Sequence, residues 1–226
     1  MSRERDERVR PVEVRLAHAD ELELLVEIDE DAGQLYAEGG LQIELPPGHP
    51  FLLAEQARWR RALELGGVFL AVDDQGRGQG FAALDTLEAP SPAGASAVPR
   101  TGPSPRDPEG PAGPEGRPAP DADEGAPYLE QLSVRRAAMG RGLGRRLLGH
   151  AIARAREYEA RRGMGSSGRL WLTTYGHLRW NRPFYAREGF VVVPEAAWPV
   201  GIAHHVAEQR RCLPDPEQRI AMRRAL

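Results

Sequence analysis

YLEQLSV (Tyr128–Val134), RRAA (135–138), MGRGLG (Met139–Gly144) and RRLLGHAIARAREYEARRG (145–163) form one unbroken stretch of this 226-residue chain. Tyr128 to Val134 carries the aromatic and branched residues of a strand. Beyond it, Leu143, Leu147, Leu148, Ala151, Ile152, Ala155 and Tyr158 recur at helical spacing, and Gly163 closes the pattern. Gly140, Gly142 and Gly144 stand between strand and helix on alternate positions, where they let a ligand approach the backbone. The first N–H groups of a helix have no intrahelical acceptors, and the helix dipole adds partial positive charge to them. With Arg141, Arg145 and Arg146 alongside, a pyrophosphate is the natural guest. A glycine-rich turn with a solvated arginine face has the same spacing, so these residues alone leave both readings open.

Downstream, Arg169 to Thr174 reads as a strand, Pro183 to Glu188 as a short helix stopped by Gly189, and Phe190 to Val193 as a further strand. Pro194 to Pro216 is expected to be irregular, and Gln218 to Arg224 alternates like a last strand. Upstream, Val12 to Leu16 predicts a first strand, Asp20 the N-cap of an amphipathic helix from Leu22, and Pro50 to Leu65 a second helix. Val68 to Val72 and Gln79 to Leu87 then predict a β-hairpin. Its glycine run, Gly76 to Gly80, leads into a strand and is read as turn chemistry, not as a phosphate loop.

Ala89 to Ala126 differs in kind. Its 38 residues hold ten of the twenty prolines and six glycines, with no aromatic residue and Val98 as the one branched aliphatic. Such a composition cannot bury a core, so a disordered, partly polyproline insertion within a single domain is expected.

Composition narrows the function classes. The formal charge is -3, and all thirty basic residues are arginine, so no global positive field points to nucleic acid. No segment approaches the ~20 apolar residues of a membrane span, and Met1 to Arg10 is charged throughout, from which a soluble cytoplasmic protein without a membrane partner is expected. Cys212 is the sole cysteine, so neither an intrachain disulfide nor a cysteine-based zinc site is available. His204 and His205, as strand neighbours, would point to opposite faces, and no metal is expected.

A second motif completes the pattern: WNRPFYAREGF, Trp180 to Phe190. Together the two motifs resemble the GNAT superfamily of N-acetyltransferases, closely over Tyr128 to Val193 and more loosely over Val12 to Leu87. The resemblance implies an α/β fold of the α+β type: a mixed, mostly antiparallel sheet with helices on both faces, splayed between its fourth and fifth strands. It also implies acetyl-CoA as co-substrate, and an amine-bearing small molecule or a peptide N-terminus as acceptor. Dimers are frequent in the family, so the resemblance admits a homodimer, while the sequence itself leaves the oligomeric state open.

Carried onto this sequence, the resemblance lays the pantetheine arm along Leu132, Ser133 and Val134. The pyrophosphate falls to Met139, Gly140, Arg141, Gly142, Leu143, Gly144 and Arg145, with Met139 standing where relatives usually have Gln or Arg. Asn181 is implied near the pantetheine and Tyr185 beside the sulfur. The arm would wedge between the strands at Tyr128 and Arg169, for which a bulge near Gln131 or Leu132 is the expected device.

The implied reaction is direct attack of the amine on the thioester within a ternary complex. Tyr185 is the candidate acid for the leaving thiolate, against a packed core tyrosine. A lysine-like amine of pKa about 10.4 is roughly one part in 2,500 neutral at pH 7, so a base is needed. Glu130 is the candidate base, against a strand carboxylate paired with an arginine. His177 follows as a substrate contact or an exposed loop histidine. The alternatives to an enzyme are a catalytically inactive CoA-binding module and a nucleotide-binding regulatory domain.

Overall fold

The computed structural model describes residues 12–87 and 123–226. Seven strands form one sheet in the order β1-β2-β3-β4-β5-β7-β6: β1 Glu13–Leu16, β2 Val68–Val72, β3 Gly78–Thr86, β4 Pro127–Val134, β5 Arg169–Tyr175, β6 Val191–Val193 and β7 Arg219–Ala225. All neighbours are antiparallel except β4 and β5, which run parallel. Five helices cover it: α1 Leu22–Glu38, α2 Pro50–Glu64, α3 Leu143–Arg162, α4 Arg182–Arg187 and α5 Val200–Cys212.

Strand alternation divides the core between the two faces. Leu170 and Leu172 of β5 pack with Leu147, Leu148 and Ala151 of α3, while Trp171 between them joins Ile202 and Val206 of α5. Leu25 and Ile28 of α1 pack with Trp59 and Ala62 of α2 on Leu70 and Phe81. Thus α3 and α4 lie on one face, and α1, α2 and α5 on the other.

The parallel pair is short. β4 and β5 are in register at Tyr128↔Trp171 and Leu129↔Leu172 alone, after which Glu130–Val134 and Thr173–Tyr175 separate. The register of β3 on β4 skips Glu130, with Ala83 opposite Gln131 and Leu84 opposite Leu129. The bulge therefore falls one residue before the expected Gln131 or Leu132, and Glu130 is the extra residue.

Several local expectations are corrected. Pro194 to Pro216 is not irregular throughout, because Val200–Cys212 is helical and buries Ile202 and Val206. Pro194, Pro214 and Pro216 lie outside that helix, and Pro199 occupies its N-cap, where a missing N–H costs nothing. His204 and His205 consequently sit on a helix, with the His205 ring stacked on Tyr128 at 4.6 Å between centroids. Asp20 is not the N-cap of α1; that position is Glu21, whose carboxylate instead accepts from the His18 N–H at 2.7 Å and from Arg15. At the far end of α3 the core position falls to Glu159, not Tyr158. Its buried carboxylate accepts from Ser166 Oγ and the Gly168 N–H, each at 2.6 Å, and from Arg162 at 2.9 Å.

The glycine run of the hairpin is turn chemistry. Asp73 gathers the N–H groups of Gln75 and Arg77 and the Gln79 amide, with Gly76 at φ +75°. Of the Pro-rich interval, 89–122 lies outside the described residues. Its last four residues are held in the fold: Asp123 pairs with Arg169 at 2.9 Å, and Ala126 is fully buried in the cluster with Tyr128 and Trp171.

Candidate active site

Gly142 caps α3 at φ +76°, a left-handed conformation that a Cβ would strain, and Gly140 adopts φ +74°. The first helix bond runs from the Arg146 N–H to the Gly142 carbonyl at 3.1 Å. The N–H groups of Leu143, Gly144 and Arg145 are left without a helix acceptor, and the first turn contains no side-chain cap and no acidic residue. A Cβ at Gly140 or Gly142 would meet no atom within 4 Å, so the turn opens on free space. These are the properties of an anion cradle at the positive end of a 20-residue helix.

The arginines divide. Arg145 lines the cavity and is paired with Glu188 at 3.2 Å, Arg146 donates to the Val12 carbonyl at 2.7 Å, and Arg141 stands outside the cavity wall. The backbone is thus the main donor set at this turn, with Arg145 a formal charge on the same cavity wall.

The second motif packs onto the first. α4 begins after Asn181, whose carbonyl accepts from the Tyr185 N–H at 3.1 Å. The Phe190 N–H closes back onto the Tyr185 carbonyl at 3.0 Å, with Gly189 at φ +87° making the turn. Edge-to-face contacts from Phe184 and Phe190, at 5.1 and 5.7 Å between centroids, fix the Tyr185 ring. A methyl group at Gly144 would come within 3.7 Å of Phe184 Cζ, so the two motifs meet at the helix entrance.

A cavity of about 620 Å³ joins them. Leu132, Ser133, Val134, Met139, Gly140, Gly142, Leu143, Gly144, Arg145, Asn181 and Tyr185 all line it. A second cavity, of about 450 Å³, lies beyond the splay and shares Asp29, Tyr36, Gln131, Leu132, Asn181 and Tyr185 with the first. Glu130 lines the second chamber, not the first. His177 lines neither; its Nε2 is 3.7 Å from Asp215.

Electrostatics distinguish these groups. Burial raises the Tyr185 phenol above its ordinary value, so it keeps its proton throughout the neutral range. Asp29, on α1, is also raised by burial, while bonds from Ser133 Oγ at 2.6 Å and Gln131 Nε2 at 2.5 Å work to lower it. Those bonds tie α1 to the rim of β4. Glu130 is raised by burial against the pull of Arg58, which donates to its Oε1, while Oε2 is buried without a hydrogen-bond partner.

Two wall residues gave no motif. Glu55, on α2, lines the second chamber with its carboxyl pushed up to about 8, by burial first and then by the charges of Asp29 and Glu130. A signal was present: Glu55 stands four residues after Phe51 and four before Trp59, both buried, so a carboxylate interrupts an apolar stripe. Arg219 enters the same wall from β7, and nothing in its local sequence marks it. The buried Asn181 Nδ2 lacks a partner at the junction of the chambers. Free N–H groups, an open glycine turn and this orphaned amide fit a ligand with a diphosphate at one end and amides along its length.

Residues 115–192 match the family model described as an acetyltransferase (GNAT) domain. A GNAT-family acetyltransferase from Staphylococcus aureus Mu50 superposes with a TM-score of 0.56 at 14% identity, over 96% of this chain and 99% of that one. The PaiA N-acetyltransferase from Thermoplasma acidophilum, solved with coenzyme A, gives 0.52 at 14% identity, over 96% and 99%. N-acetylglutamate synthase from Neisseria gonorrhoeae, solved with coenzyme A and N-acetyl-glutamate, gives 0.53 at 19% identity over 96% of this chain. The match covers 35% of that synthase, so the chain spans about a third of its length. At these identities the likeness is one of fold.

Proposed function

We propose that this chain, whose residues 115–192 match an acetyltransferase (GNAT) domain, moves the acetyl group of acetyl-CoA to a primary amine by direct attack within a ternary complex. One observation carries the reading: the glycine entrance of α3 and Tyr185 line one cavity, and that cavity meets a second, acidic chamber at Tyr185. Bound acetyl-CoA supplies an activated thioester; the chain's own residues do the rest.

The N–H groups at the start of α3, with Arg145, hold the diphosphate. Leu132, Ser133 and Val134 lie beyond the last β4–β5 pair and offer backbone groups to the pantetheine amides, as a sheet edge does to an added strand. Asn181 Nδ2 donates to the same arm. The amine enters from the second chamber, where Glu55, with Glu130 on the same wall, accepts its proton. Glu130 is held by Arg58 with Oε2 turned to no partner, and Glu55 has the proton affinity suited to an amine. The nitrogen bonds to the acetyl carbon, the carbon–sulfur bond breaks, and Tyr185 gives its proton to the departing thiolate.

Neighbours of the same fold are solved with CoA and with an acetylated amino acid, which supports an amine-bearing small molecule as acceptor. A cytoplasmic setting and a homodimer belong to the proposal; no helix among the described residues is long and apolar enough to cross a membrane. The test is release of free CoA thiol across an amine panel, with hydrolysis in the absence of amine as baseline. Acetylated product with at least one amine is expected. Tight CoA binding with no product from any amine would leave a CoA-binding module in its place.

A further inference from the structure

Arg219 enters β7 opposite Tyr175, and the residue is 7% exposed. A charge so buried ordinarily has a counter-charge. Among the described residues Arg219 belongs to no ion pair. Its neighbours are neutral. Nε and Nη2 donate to Gln209 Oε1 at 3.2 and 2.6 Å, Nη2 also reaches Thr173 Oγ1 at 3.4 Å, and the guanidinium carbon stands 4.6 Å from the Tyr175 ring centroid. These contacts, with the Tyr175 hydroxyl close enough to feel the guanidinium, fix its plane, and among the described residues none of its donors is taken by a carboxylate.

The side chain belongs to the wall of the second chamber, whose other charged residues are Asp29, Glu30, Glu55 and Glu130, all carboxylates. One cationic group, held rigidly and in no ion pair among the described residues, therefore shares a chamber of about 450 Å³ with four acids, of which Glu55 feels its charge across the chamber.

We propose that the acceptor is a small amino acid, carrying a carboxylate besides the reacting amine, and that Arg219 binds that carboxylate. The inference rests on the acetyl-transfer reading and adds the substrate class. A plain alkylamine or polyamine satisfies the acids but leaves Arg219 uncompensated. A zwitterion satisfies both signs, with its ammonium toward Glu55 and Glu130. A guanidinium positioned by a neutral amide and an aromatic face retains its full charge for a carboxylate, which it recognises by charge-assisted hydrogen bonds. A peptide N-terminus has no carboxylate beside its amine and is disfavoured on the same ground.

The experiment compares each free amino acid of a panel with its own carboxamide and its decarboxylated amine, in the wild-type protein and in Arg219→Gln. For the best substrate, kcat/KM is expected to favour the acid by roughly 30-fold or more in the wild type, and that ratio to fall to about one in Arg219→Gln. Calorimetric binding of the amino acid in the presence of free CoA should weaken in parallel. Arg219→Lys, which keeps a point charge, covers the case in which Arg219→Gln does not fold, and should retain an intermediate ratio. Carboxamides or plain amines acetylated as well as the acids by the wild type would overturn the proposal while leaving acetyl transfer intact. Absence of acetylation for every amine would remove the underlying reading instead.

Discussion

The two chambers that meet at Tyr185 are built by different rules. The chamber proposed for the cofactor is a backbone site, formed by a sheet edge, a glycine turn and the exposed N–H groups at the start of α3. The chamber proposed for the acceptor is a side-chain site, assembled from Asp29 on α1, Glu55 on α2, Glu130 on β4 and Arg219 on β7. Backbone donors are shared by every sequence that can make the turn, so the first half can stay constant while the second changes its chemistry. That division predicts where substitutions act: on the first side they alter cofactor affinity, and on the second they alter the acceptor and its pH dependence.

The largest effect is expected at the junction. Tyr185→Phe removes the proton donor to the thiolate but leaves the ring packed between Phe184 and Phe190, so kcat should fall by about 10²–10³-fold with CoA affinity kept. Steady-state kinetics beside CoA calorimetry checks this; an unchanged kcat would reduce Tyr185 to a packing residue. Glu55→Gln comes next. Glu55 acts as a base when deprotonated, so kcat/KM of the wild type should rise with pH through about 8. The variant should lose that rise and about 30- to 100-fold in rate at pH 8. A rise abolished by Glu130→Gln but kept in Glu55→Gln would exchange their roles.

The same group affects stability with a definite sign. Its folded pKa is raised, so the stability present below the ordinary carboxylate pKa is lost as pH climbs toward 8, and Glu55→Gln should melt higher than the wild type at pH 9.

Glu159, at the far end of α3 from the glycine turn, shows the opposite sign. Burial works against its ionisation, but bonds from Ser166, Gly168 and Arg162 win and lower its pKa. Its contribution is therefore present above the ordinary carboxylate pKa and lost as pH falls through the lowered value. Glu159→Gln should cost about 1.5–3 kcal/mol near neutrality and less in acid, measured by urea unfolding at two pH values. The smallest effect is on cofactor affinity: Gly142→Val strains a left-handed cap by about 1–2 kcal/mol, so CoA binding should weaken roughly 5- to 30-fold with the amine KM little changed. A larger change in the amine KM would show that the two halves are not separable.

Legibility followed the same line. The strand Tyr128–Val134, the three glycines, the apolar spacing of α3 and the Phe184–Tyr185 pair with its Gly189 stop are contiguous patterns, and each formed the expected element. Asn181 and Tyr185 came with them. Residues 200–212 were unreadable because Ile202 and Val206 are their only buried branched residues, too few to mark a helical stripe between the prolines that frame the helix. Arg219 is an ordinary strand arginine until Gln209, Thr173 and Tyr175 surround it.

By itself, then, the sequence determined the order of elements, the left-handed glycine turn ahead of α3 and the short Phe-Tyr helix, because these depend on local backbone preference and on period. The tertiary structure alone decided that Glu130 is the bulged residue, that Glu55 and Asp29 are half-buried carboxylates on one chamber wall, and that Arg219 is in no ion pair among the described residues. The reason is physical: desolvation and charge pairing depend on what lies within a few ångströms in space, and those neighbours come from segments as far apart in the chain as α1 and β7.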